Sequence, residues 1–281
     1  MPSDKHTLTG RTLVVSGASR GIGLAIALGA ARHGANIVLL AKTAEPHPKL
    51  PGTVHTAVAA IEAAGGKGVA VVGDVRKEED AQRVADTAVK HFGGIDICVN
   101  NASAIATEPT EDLSAKKFDL MMDINVRGTF LLTKACLPYL RKADTAHVLT
   151  IAPPMNMNPY WLGAHPTYTL SKYGMTLLSL GWAEEYRQVD GANIGFSCLW
   201  PETYIATAAV ANSPTGQEQL QSSRSPAIMA DAAVEIFSRS PAAANAQTFI
   251  DSEVLKSAGV NDLSRYGGGD NPIIDIFVDH S

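Results

Sequence analysis

Short runs of apolar residues recur along the chain and alternate with longer stretches whose residue pattern is typical of helices. The apolar runs are nearly continuous, which is typical of strands that are buried on both faces of a parallel sheet. Strands separated by helices predict an α/β fold, in which a doubly wound parallel sheet carries helices on both faces. The predicted strands are residues 11–16, 36–41, 69–73, 95–99, 147–151 and 194–199.

Two segments interrupt this alternation. Residues 43–53 carry three prolines, which disfavour a helix, so we expect a long irregular loop beside the end of the second strand. This loop either covers the adenosine half of a cofactor or is a solvated insertion. A second irregular segment is expected from about Asp251, and its apolar residues 273–278 are expected to pack on the body or on another subunit. We interpret residues 1–281 as a single domain.

The composition excludes several classes of protein. Apolar residues make up 46% of the chain, the formal charge is −5, and no dense Lys/Arg cluster suggests nucleic acid as a partner. No apolar run approaches the ~18 residues of a membrane span, so we expect an intracellular, cytoplasmic protein without integral membrane association. The histidines are scattered, which argues against a metal site. Three cysteines in apolar surroundings are interpreted as buried thiols: Cys98, Cys136 and Cys198.

A glycine-rich turn follows the first predicted strand and opens a predicted helix. Glycine lets the backbone turn tightly and approach a pyrophosphate, while the helix offers free N–H groups and the positive end of its dipole. This context favours a Rossmann-like dinucleotide site over a purely structural turn. The predicted cofactor-binding residues of the turn are Gly17, Ser19, Arg20, Gly21, Ile22 and Gly23.

The residues near the second strand indicate which dinucleotide is bound. A carboxylate at the end of that strand would favour NAD, whereas a basic residue accommodates the 2′-phosphate of NADP. This chain offers Lys42 at that position and Arg20 inside the turn. We therefore predict NADP (NADPH), with the alternative that Lys42 is only a solvated lysine at a strand end.

Tyr168 and Lys172 are four residues apart in a predicted helix, so their side chains share one face. A phenol with a pKa near ~10 is a weak acid and base at neutral pH, but a cation within about 4–6 Å lowers that pKa. The pair alone could be coincidence. Together with the glycine turn, it predicts carbonyl redox chemistry on a nicotinamide cofactor.

These motifs resemble the classical short-chain dehydrogenase/reductase family, and the resemblance covers most of the chain. The matching pieces, in order, are the glycine turn, Asp74 and Val75 after the third strand, Asn100 to Ala102 after the fourth, Asn125, and the pair Tyr168 and Lys172.

The resemblance implies a role for each matching residue beyond the turn. Asp74 would accept a hydrogen bond from the adenine amino group and Val75 would pack on the ring, while Asn101 and Ala102 would line the cofactor with backbone. Lys172 would also hold the nicotinamide ribose. As alternatives, Asp74 could be a turn or cap residue.

Asn125 is the third expected catalytic residue beside Tyr168 and Lys172. The family resemblance implies that Asn125 binds a water that relays protons to Lys172. The alternative is that its amide bonds only to backbone. The resemblance also implies a homo-oligomer, as a dimer or tetramer.

The chain departs from the family at the serine that binds the substrate carbonyl. The corresponding region after the fifth strand offers Ala152, Pro153 and Met155, and none of these side chains carries a hydroxyl. Losing one such donor typically lowers the rate by about 10²- to 10³-fold. Two nearby amides, Asn156 and Asn158, are candidate replacements, and packing in a surface loop is the alternative role for each.

The family's Pro-Gly after the sixth strand is also altered, to Pro201-Glu202. The resemblance still implies that Thr203 or Thr207 meets the nicotinamide amide.

The sequence predicts an NADP(H)-dependent oxidoreductase that transfers a hydride between nicotinamide and the carbonyl or alcohol of a small apolar substrate, steroid-like or fatty-acyl-like. Trp161, Trp200 and Tyr204 suggest an apolar cleft, and ordinary packing is the alternative. Two other functions stay open. One is an NADP-binding regulator with little turnover, and the other is reduction of an activated carbon–carbon double bond.

Overall fold

A central parallel sheet of seven strands organises the computed structural model, which describes residues 7–46, 51–212 and 215–279. All neighbouring strands are parallel. The strand order β3-β2-β1-β4-β5-β6-β7 confirms the predicted doubly wound α/β fold. The strands are β1 Thr12–Ser16, β2 Asn36–Ala41, β3 Lys67–Val72, β4 Ile97–Asn100, β5 Ala146–Thr150, β6 Ile194–Trp200 and β7 Gln247–Ile250.

The seventh strand is absent from the sequence-based prediction. Every residue of β1, β5 and β6 is buried, which explains why their continuous apolar pattern is easy to recognise. Strand β7 has only four residues, begins with Gln247 and Thr248, and is only partly buried. Strand β7 forms because it can pair with the edge of β6. This pairing depends on a distant part of the chain, so the sequence of β7 alone does not predict it.

Helices cover both faces of the sheet. The helices are α1 Gly21–Arg32, α2 Val54–Ala63, α3 Glu78–Phe92, α4 Ala115–Met121, α5 Gly128–Leu140, α6 Pro159–Ala164, α7 Pro166–Arg187, α8 Ala208–Ala211, α9 Gly216–Gln221, α10 Ala227–Ser238, α11 Pro241–Ala244 and α12 Asp251–Ser257. The apolar sides of α1, α2, α10 and α12 form one core cluster with the sheet, and those of α3, α5 and α7 form the other. A π-helical turn, Met122–Arg127, joins α4 to α5.

The strand order reverses between β1 and β4, and this reversal opens a crevice at the carboxyl ends of the strands. The chain leaves β1 towards β2 on one side, whereas β4 and β5 lie on the other. Ligands of doubly wound folds bind in this crevice. The glycine turn after β1 and the residues 101–103 after β4 therefore meet at one place.

The proline-rich loop closes on the glycine turn. Residues 47–50 of the expected loop lie outside the described part of the chain. At its described end, the Arg20 guanidinium donates to the backbone oxygens of Pro51 and Gly52, each at 3.0 Å. Val54 N donates to Thr43 O at 2.9 Å, so the two ends of the loop are tied together.

The C-terminal part differs from the predicted irregular tail. Residues from Asp251 form α12 rather than irregular chain, because α12 packs its buried side against α10. Residues 272–279, which we call the C-terminal segment, lie against the loop after β6. Asp275 N donates to Glu202 O at 2.9 Å, and Tyr204 N donates to Ile273 O at 2.8 Å.

The aromatic ring of Phe277 anchors the C-terminal segment. It is 3% exposed, and its ring centroid lies 6.2, 5.3, 6.2 and 5.8 Å from those of Tyr168, Tyr173, Trp161 and Trp200. Its φ of 72° falls in the left-handed region that non-glycine residues rarely adopt. Burial of a large aromatic side chain outweighs a backbone strain of about 1–3 kcal/mol.

We expect Phe277→Ala to release the C-terminal segment from the body. The substitution removes the aromatic contacts, worth about 3–5 kcal/mol for a buried Phe, and keeps the strained backbone. Hydrogen exchange of the amides of residues 273–278 should rise while exchange in β1 and β4 stays slow. Val72→Ala, on the edge strand β3, is the control because that side chain is 45% exposed. Equal exchange in the two variants would contradict this anchoring role.

Candidate active site

One cavity of about 330 Å³ lies in the crevice between the glycine turn and the ends of β2, β3 and β4. The predicted cofactor-binding residues that line it are Gly17, Ser19, Arg20, Lys42, Asp74, Val75, Asn101 and Ala102. Three residues of the turn lie elsewhere. Gly21 lines a neighbouring surface cleft, Ile22 lines a second cavity, and Gly23 packs beneath the loop after β4.

The first and last glycines of the turn allow close packing against the loop after β4. A Cβ on Gly17 would lie 2.9 Å from Ala102 Cα, and one on Gly23 would lie 2.4 Å from Asn101 Nδ2. The Asn101 amide donates to the backbone oxygens of Ser16 and Gly17 at 2.9 and 3.1 Å. Asn101 therefore holds the turn in shape with its side chain, a role that sequence reasoning did not assign to it.

The start of α1 fits an anionic group. Its N-cap, Arg20, makes no side-chain capping bond, and the first turn contains no acidic residue. Gly21 has a φ of 60°, which directs the chain sharply into the helix. The N–H groups of the first turn therefore lack side-chain partners, and the helix dipole favours negative charge there. These residues fit the pyrophosphate of a dinucleotide.

Asp74 lies in the wall of this cavity and is held by Arg76. Arg76 Nη2 donates to Asp74 Oδ2 at 2.6 Å and Arg76 Nε donates to Oδ1 at 3.1 Å, while Lys42 Nζ lies 3.5 Å from Oδ2. The hydrogen bonds from Arg76 are the main cause that lowers the pKa of Asp74 to about 2. Asp74 is thus an ionised acceptor. Sequence reasoning missed Arg76, although it stands two residues after Asp74.

Tyr168 and Lys172 lie one turn apart near the start of α7, and both are buried, at 5% and 2% exposure. Lys172 Nζ donates to Ile151 O at 2.9 Å and lies 5.3 Å from the centre of the Trp200 ring. Burial lowers the pKa of Lys172 from its usual 10.5 to about 7, and the Asp275 carboxyl opposes this shift. The carbonyl oxygen and the ring face stabilise the ammonium form that burial disfavours.

The pKa of Tyr168 shifts in the direction opposite to that expected from the sequence. Burial raises it above the usual value, the Asp275 charge raises it further, and a hydrogen bond with Ser103 lowers it. Burial therefore sets the direction of the shift, whereas Lys172, whose own pKa is lowered, donates its hydrogen bond to Ile151 O. The phenol stays protonated at neutral pH, as a general acid requires.

Asn125 lies in the π-helical turn and is fully buried. Its Oδ1 accepts from Ala104 N at 2.8 Å, and its Nδ2 donates to Ala104 O at 3.0 Å and to Ser171 Oγ at 2.9 Å. Ser171 Oγ in turn donates to Tyr168 O at 2.8 Å. The amide thus connects the loop after β4 to the helix that carries Tyr168. These contacts include a side chain, so the amide does not bond only to backbone.

A second cavity, of about 400 Å³, lies beside the first and contains Tyr168 in its wall. Two of the three aromatic residues expected to form an apolar cleft, Trp200 and Tyr204, line this cavity. Trp161 does not; it packs in the aromatic cluster around Phe277. The remaining wall is mostly apolar and includes Ile22, Ile105, Ile151, Pro201, Ile205, Val210 and Ile276.

The region of the missing serine is filled by other groups. Ala152 is buried with Met175 and Cys198. The Asn156 amide donates to Phe277 O at 3.1 Å and to Asp279 Oδ2 at 2.9 Å.

Neither candidate replacement amide lines the second cavity. Asn158 Oδ1 accepts from Tyr160 N at 3.0 Å and caps α6. Asn156, as described above, is bonded to the C-terminal segment, so the expected replacement of the serine by one of these amides lacks support in this geometry. Thr207 lines the cavity, whereas the buried Thr203 hydroxyl has no hydrogen-bond partner.

The described residues 7–46, 51–212 and 215–279 contain no helix with the length and apolar composition needed to cross a membrane. Within the same ranges, no three His, Cys, Asp or Glu side chains come together as a set that could hold a metal ion. The three cysteines are buried and free.

The part of the chain that contains the glycine turn and the Tyr168–Lys172 pair matches a known family. Residues 11–218 match the model of the short chain dehydrogenase family, and the chain belongs to this family. It is 50% identical over 276 residues to hydroxysteroid dehydrogenase-like protein 2 of Xenopus tropicalis. That match covers 98% of this chain and 65% of the relative, so the chain spans about two thirds of the relative's length.

Solved structures agree with this assignment. A short chain dehydrogenase from Mycobacterium thermoresistibile superposes with a TM-score of 0.90 at 46% identity, covering 97% of this chain and 96% of that one. A short chain dehydrogenase from Mycobacterium paratuberculosis bound to NAD has a TM-score of 0.75 at 25% identity, over 87% and 97% of the two chains. L-Sorbose reductase from Gluconobacter frateurii, complexed with NADPH and L-sorbose, has a TM-score of 0.74 at 25% identity, over 88% and 96%.

We expect the stability difference between Lys172→Met and the native chain to depend on pH. Between pH 7 and about 10 the unfolded chain holds a proton on Lys172 that the folded chain lacks, since burial lowers the pKa of Lys172 to about 7. Native stability should therefore rise with pH in this window, by at most about 1.4 kcal/mol per pH unit. The Lys172→Met variant does not gain this stability, because methionine does not titrate. Its free energy of unfolding relative to the native chain should therefore fall as the pH rises.

Urea unfolding at several pH values between 7 and 10 measures this difference. Lys90→Met, at an exposed position on α3, is the control whose difference from the native chain should stay constant. A Lys172→Met difference that is equally constant would show that folding does not lower the pKa of Lys172.

Proposed function

We propose that this protein is an NADP(H)-dependent oxidoreductase acting on a carbonyl or alcohol of a small apolar substrate. The observation that carries the proposal is the position of Tyr168, a buried, protonated phenol in the wall of an apolar cavity that adjoins the dinucleotide cleft. The other residues of the site are arranged around this phenol.

A bound nicotinamide would supply or accept the hydride, and the residues of the chain handle the proton and the orientation. Tyr168 gives its proton to the carbonyl oxygen during reduction, and its raised pKa keeps that proton available at neutral pH. Lys172 lies one turn further along α7, where it can hold a ribose hydroxyl and stabilise the phenolate left behind. Asn125 fixes α7 relative to the loop after β4.

The preference for NADP rests on the charges at the adenosine end of the cleft. Lys42 and Arg76 place two cationic groups against the carboxylate of Asp74, and Arg20 lines the same cavity. Lys42 is 56% exposed at its side chain, so it can turn towards a phosphate. A net positive charge favours the 2′-phosphate of NADP over the neutral ribose hydroxyl of NAD. Related structures hold NAD in one case and NADPH in another.

The apolar substrate class rests on the second cavity. Its volume of about 400 Å³ and its aliphatic and aromatic walls fit a compact apolar molecule that presents one carbonyl. The similarity to hydroxysteroid dehydrogenase-like protein 2 directs attention to steroid-like ketones, and fatty-acyl carbonyls are the second group to test.

We also propose that the protein is a homo-oligomer. Several large apolar side chains are exposed along α4, α5 and α7, on one side of the sheet, and a second copy of the chain would cover them. These side chains are Phe118, Leu120, Phe130, Leu170 and Leu177.

An NADP-binding regulator with little turnover is the second candidate. It is favoured by the lack of a hydroxyl at Ala152 and by the packing of Phe277 over the Tyr168 ring. The deciding experiment follows NADPH oxidation with a panel of steroid ketones, aryl ketones, enones and acyl thioesters. Turnover of a ketone supports the oxidoreductase, turnover of enones alone supports a double-bond reductase, and NADPH binding without turnover supports the regulator.

Tyr168→Phe is expected to fold and to bind NADPH, but to lose nearly all turnover on a ketone. The substitution removes the proton donor and keeps the ring that stacks on Phe277. Steady-state rates and fluorescence titration of NADPH measure the two effects separately. Tyr160→Phe is the matched control, because Tyr160 is 68% exposed. Near-native turnover in Tyr168→Phe would rule out the phenol as the acid.

Lys42→Asp is expected to reverse or erase the preference for NADPH over NADH. The new carboxylate repels a 2′-phosphate and can accept from the ribose hydroxyl of NADH. Dissociation constants for both cofactors give the result. Lys67→Asp makes the same charge change at the start of β3, at the amino ends of the strands and away from the cleft at their carboxyl ends, and should leave the ratio unchanged. Equal affinities of the native protein for NADPH and NADH would refute the assignment.

A further inference from the structure

The C-terminal segment brings a carboxyl group into the wall of the substrate cavity. Asp275 lines the same cavity as Tyr168, although it lies at the far end of the chain. We propose that Asp275, as a neutral carboxylic acid, donates the hydrogen bond that the missing serine would have given to the substrate carbonyl oxygen. This proposal rests on the proposed carbonyl chemistry.

The backbone around Asp275 is fixed on both sides of the residue. Asp275 N donates to Glu202 O at 2.9 Å, and Trp200 Nε1 donates to Ile276 O at 2.9 Å. The neighbouring ring of Phe277 stacks on Tyr168, with an angle of 25° between the planes. A donor group must be held in place to stabilise a developing oxyanion, and these contacts hold Asp275 in the wall of the cavity that Tyr168 also lines.

The hydrogen bonds of the carboxyl group define which oxygen can donate. Ile276 N donates to Asp275 Oδ1 at 2.7 Å, so Oδ1 is the acceptor and the proton belongs on Oδ2. Oδ2 of the acid form can therefore offer its O–H to a ligand in the cavity.

The surroundings of Asp275 favour this acid form. Removal from bulk water raises the pKa of Asp275 well above its usual value, the nearby Asp251 carboxyl raises it further, and Lys172 opposes the shift. The other titratable groups that Asp275 faces are the phenols of Tyr168 and Tyr204. A carboxylic acid kept neutral by an apolar site is an effective hydrogen-bond donor to an oxyanion.

Three of the other polar groups in this part of the structure are less suitable. Ser103 lines the dinucleotide cavity rather than the substrate cavity. His165 lines the substrate cavity, but its Nδ1 lies 3.1 Å from Thr107 O. The Asn156 amide is bonded to the C-terminal segment itself.

In the reduction, a hydride adds to the carbonyl carbon and the Tyr168 proton is transferred to the carbonyl oxygen. The products are the alcohol and the oxidised nicotinamide, and Tyr168 recovers its proton from solvent. Asp275 keeps its own proton throughout and only hydrogen-bonds the oxygen as negative charge develops on it. Ionised Asp275 would instead repel that charge, so the reduction rate should fall when Asp275 ionises.

The first test measures turnover on the best ketone of the panel. Asp275→Ala should lower kcat by about 10²-fold with NADPH affinity little changed. Asp275→Asn keeps a donor, so it should retain much of the rate and lose the decline at high pH that the native enzyme shows. Asp270→Ala, an exposed carboxylate before the C-terminal segment, is the control with native rates. An Asp275→Ala rate equal to that of Asp270→Ala would overturn the proposal.

The second test needs no turnover. Acetophenone carrying a ¹³C carbonyl is added to protein saturated with NADP⁺, which has no hydride to give, and the C=O stretching band is recorded. The band should lie at lower frequency in the native protein than in Asp275→Ala, with Asp275→Asn in between and Asp270→Ala equal to native.

An identical band in the native protein and Asp275→Ala, or no shift from free ketone in the native protein, would overturn the assignment of Asp275. A shifted band without turnover of any panel member would instead overturn the proposed function and leave Asp275 as the carbonyl donor. Hydrogen exchange of residues 273–278 identifies a variant that has only released the C-terminal segment. If Asp275→Ala has released the segment, the comparison of Asp275→Asn with the native protein tests the proposal, because asparagine preserves the size of the side chain.

Discussion

The rest of the site depends on the removal of the Lys172 ammonium group from water. A buried ammonium is unfavourable unless its protons find partners, and the backbone oxygen of Ile151 and the face of Trp200 are the ones that the fold provides. Both partners come from the carboxyl ends of β5 and β6, where parallel strands converge. The sheet topology therefore determines where Lys172 can lie, and α7 then determines the position of Tyr168.

The C-terminal segment encloses Tyr168 and Lys172 and affects the pKa values of the groups in the site. Phe277 covers the ring of Tyr168, and Asp275 adds a second titratable group to the same enclosed space. Burial acts on the acids and the base in opposite directions, since it raises the pKa values of Tyr168 and Asp275 and lowers that of Lys172. All three shifts favour neutral groups at neutral pH. Burying these neutral hydrogen-bond donors does little for the stability of the fold, but such donors are useful for the reduction of a carbonyl.

The sequence was sufficient for the features that depend on local spacing. Continuous apolar runs predicted six of the seven strands, and the glycine turn and the Tyr168–Lys172 pair were found because their spacing is fixed by a single turn or helix. What the sequence missed depends on contacts between distant segments. Strand β7 requires the edge of β6, and the position of Asp275 requires the chain to return from α12 to the loop after β6.

The direction of the Tyr168 pKa shift could not be predicted from the local sequence either. A helical spacing of four residues indicates that Lys172 is near, but the effect of a cation depends on how strongly it is itself desolvated. Lys172 has a lowered pKa and donates a hydrogen bond to Ile151 O, whereas burial is the largest cause of the shift in the pKa of Tyr168. The same buried pair could favour either the phenol or the phenolate, and the enclosing segment decides between them. The protonation of Tyr168 therefore depends on residues 272–279 as much as on α7.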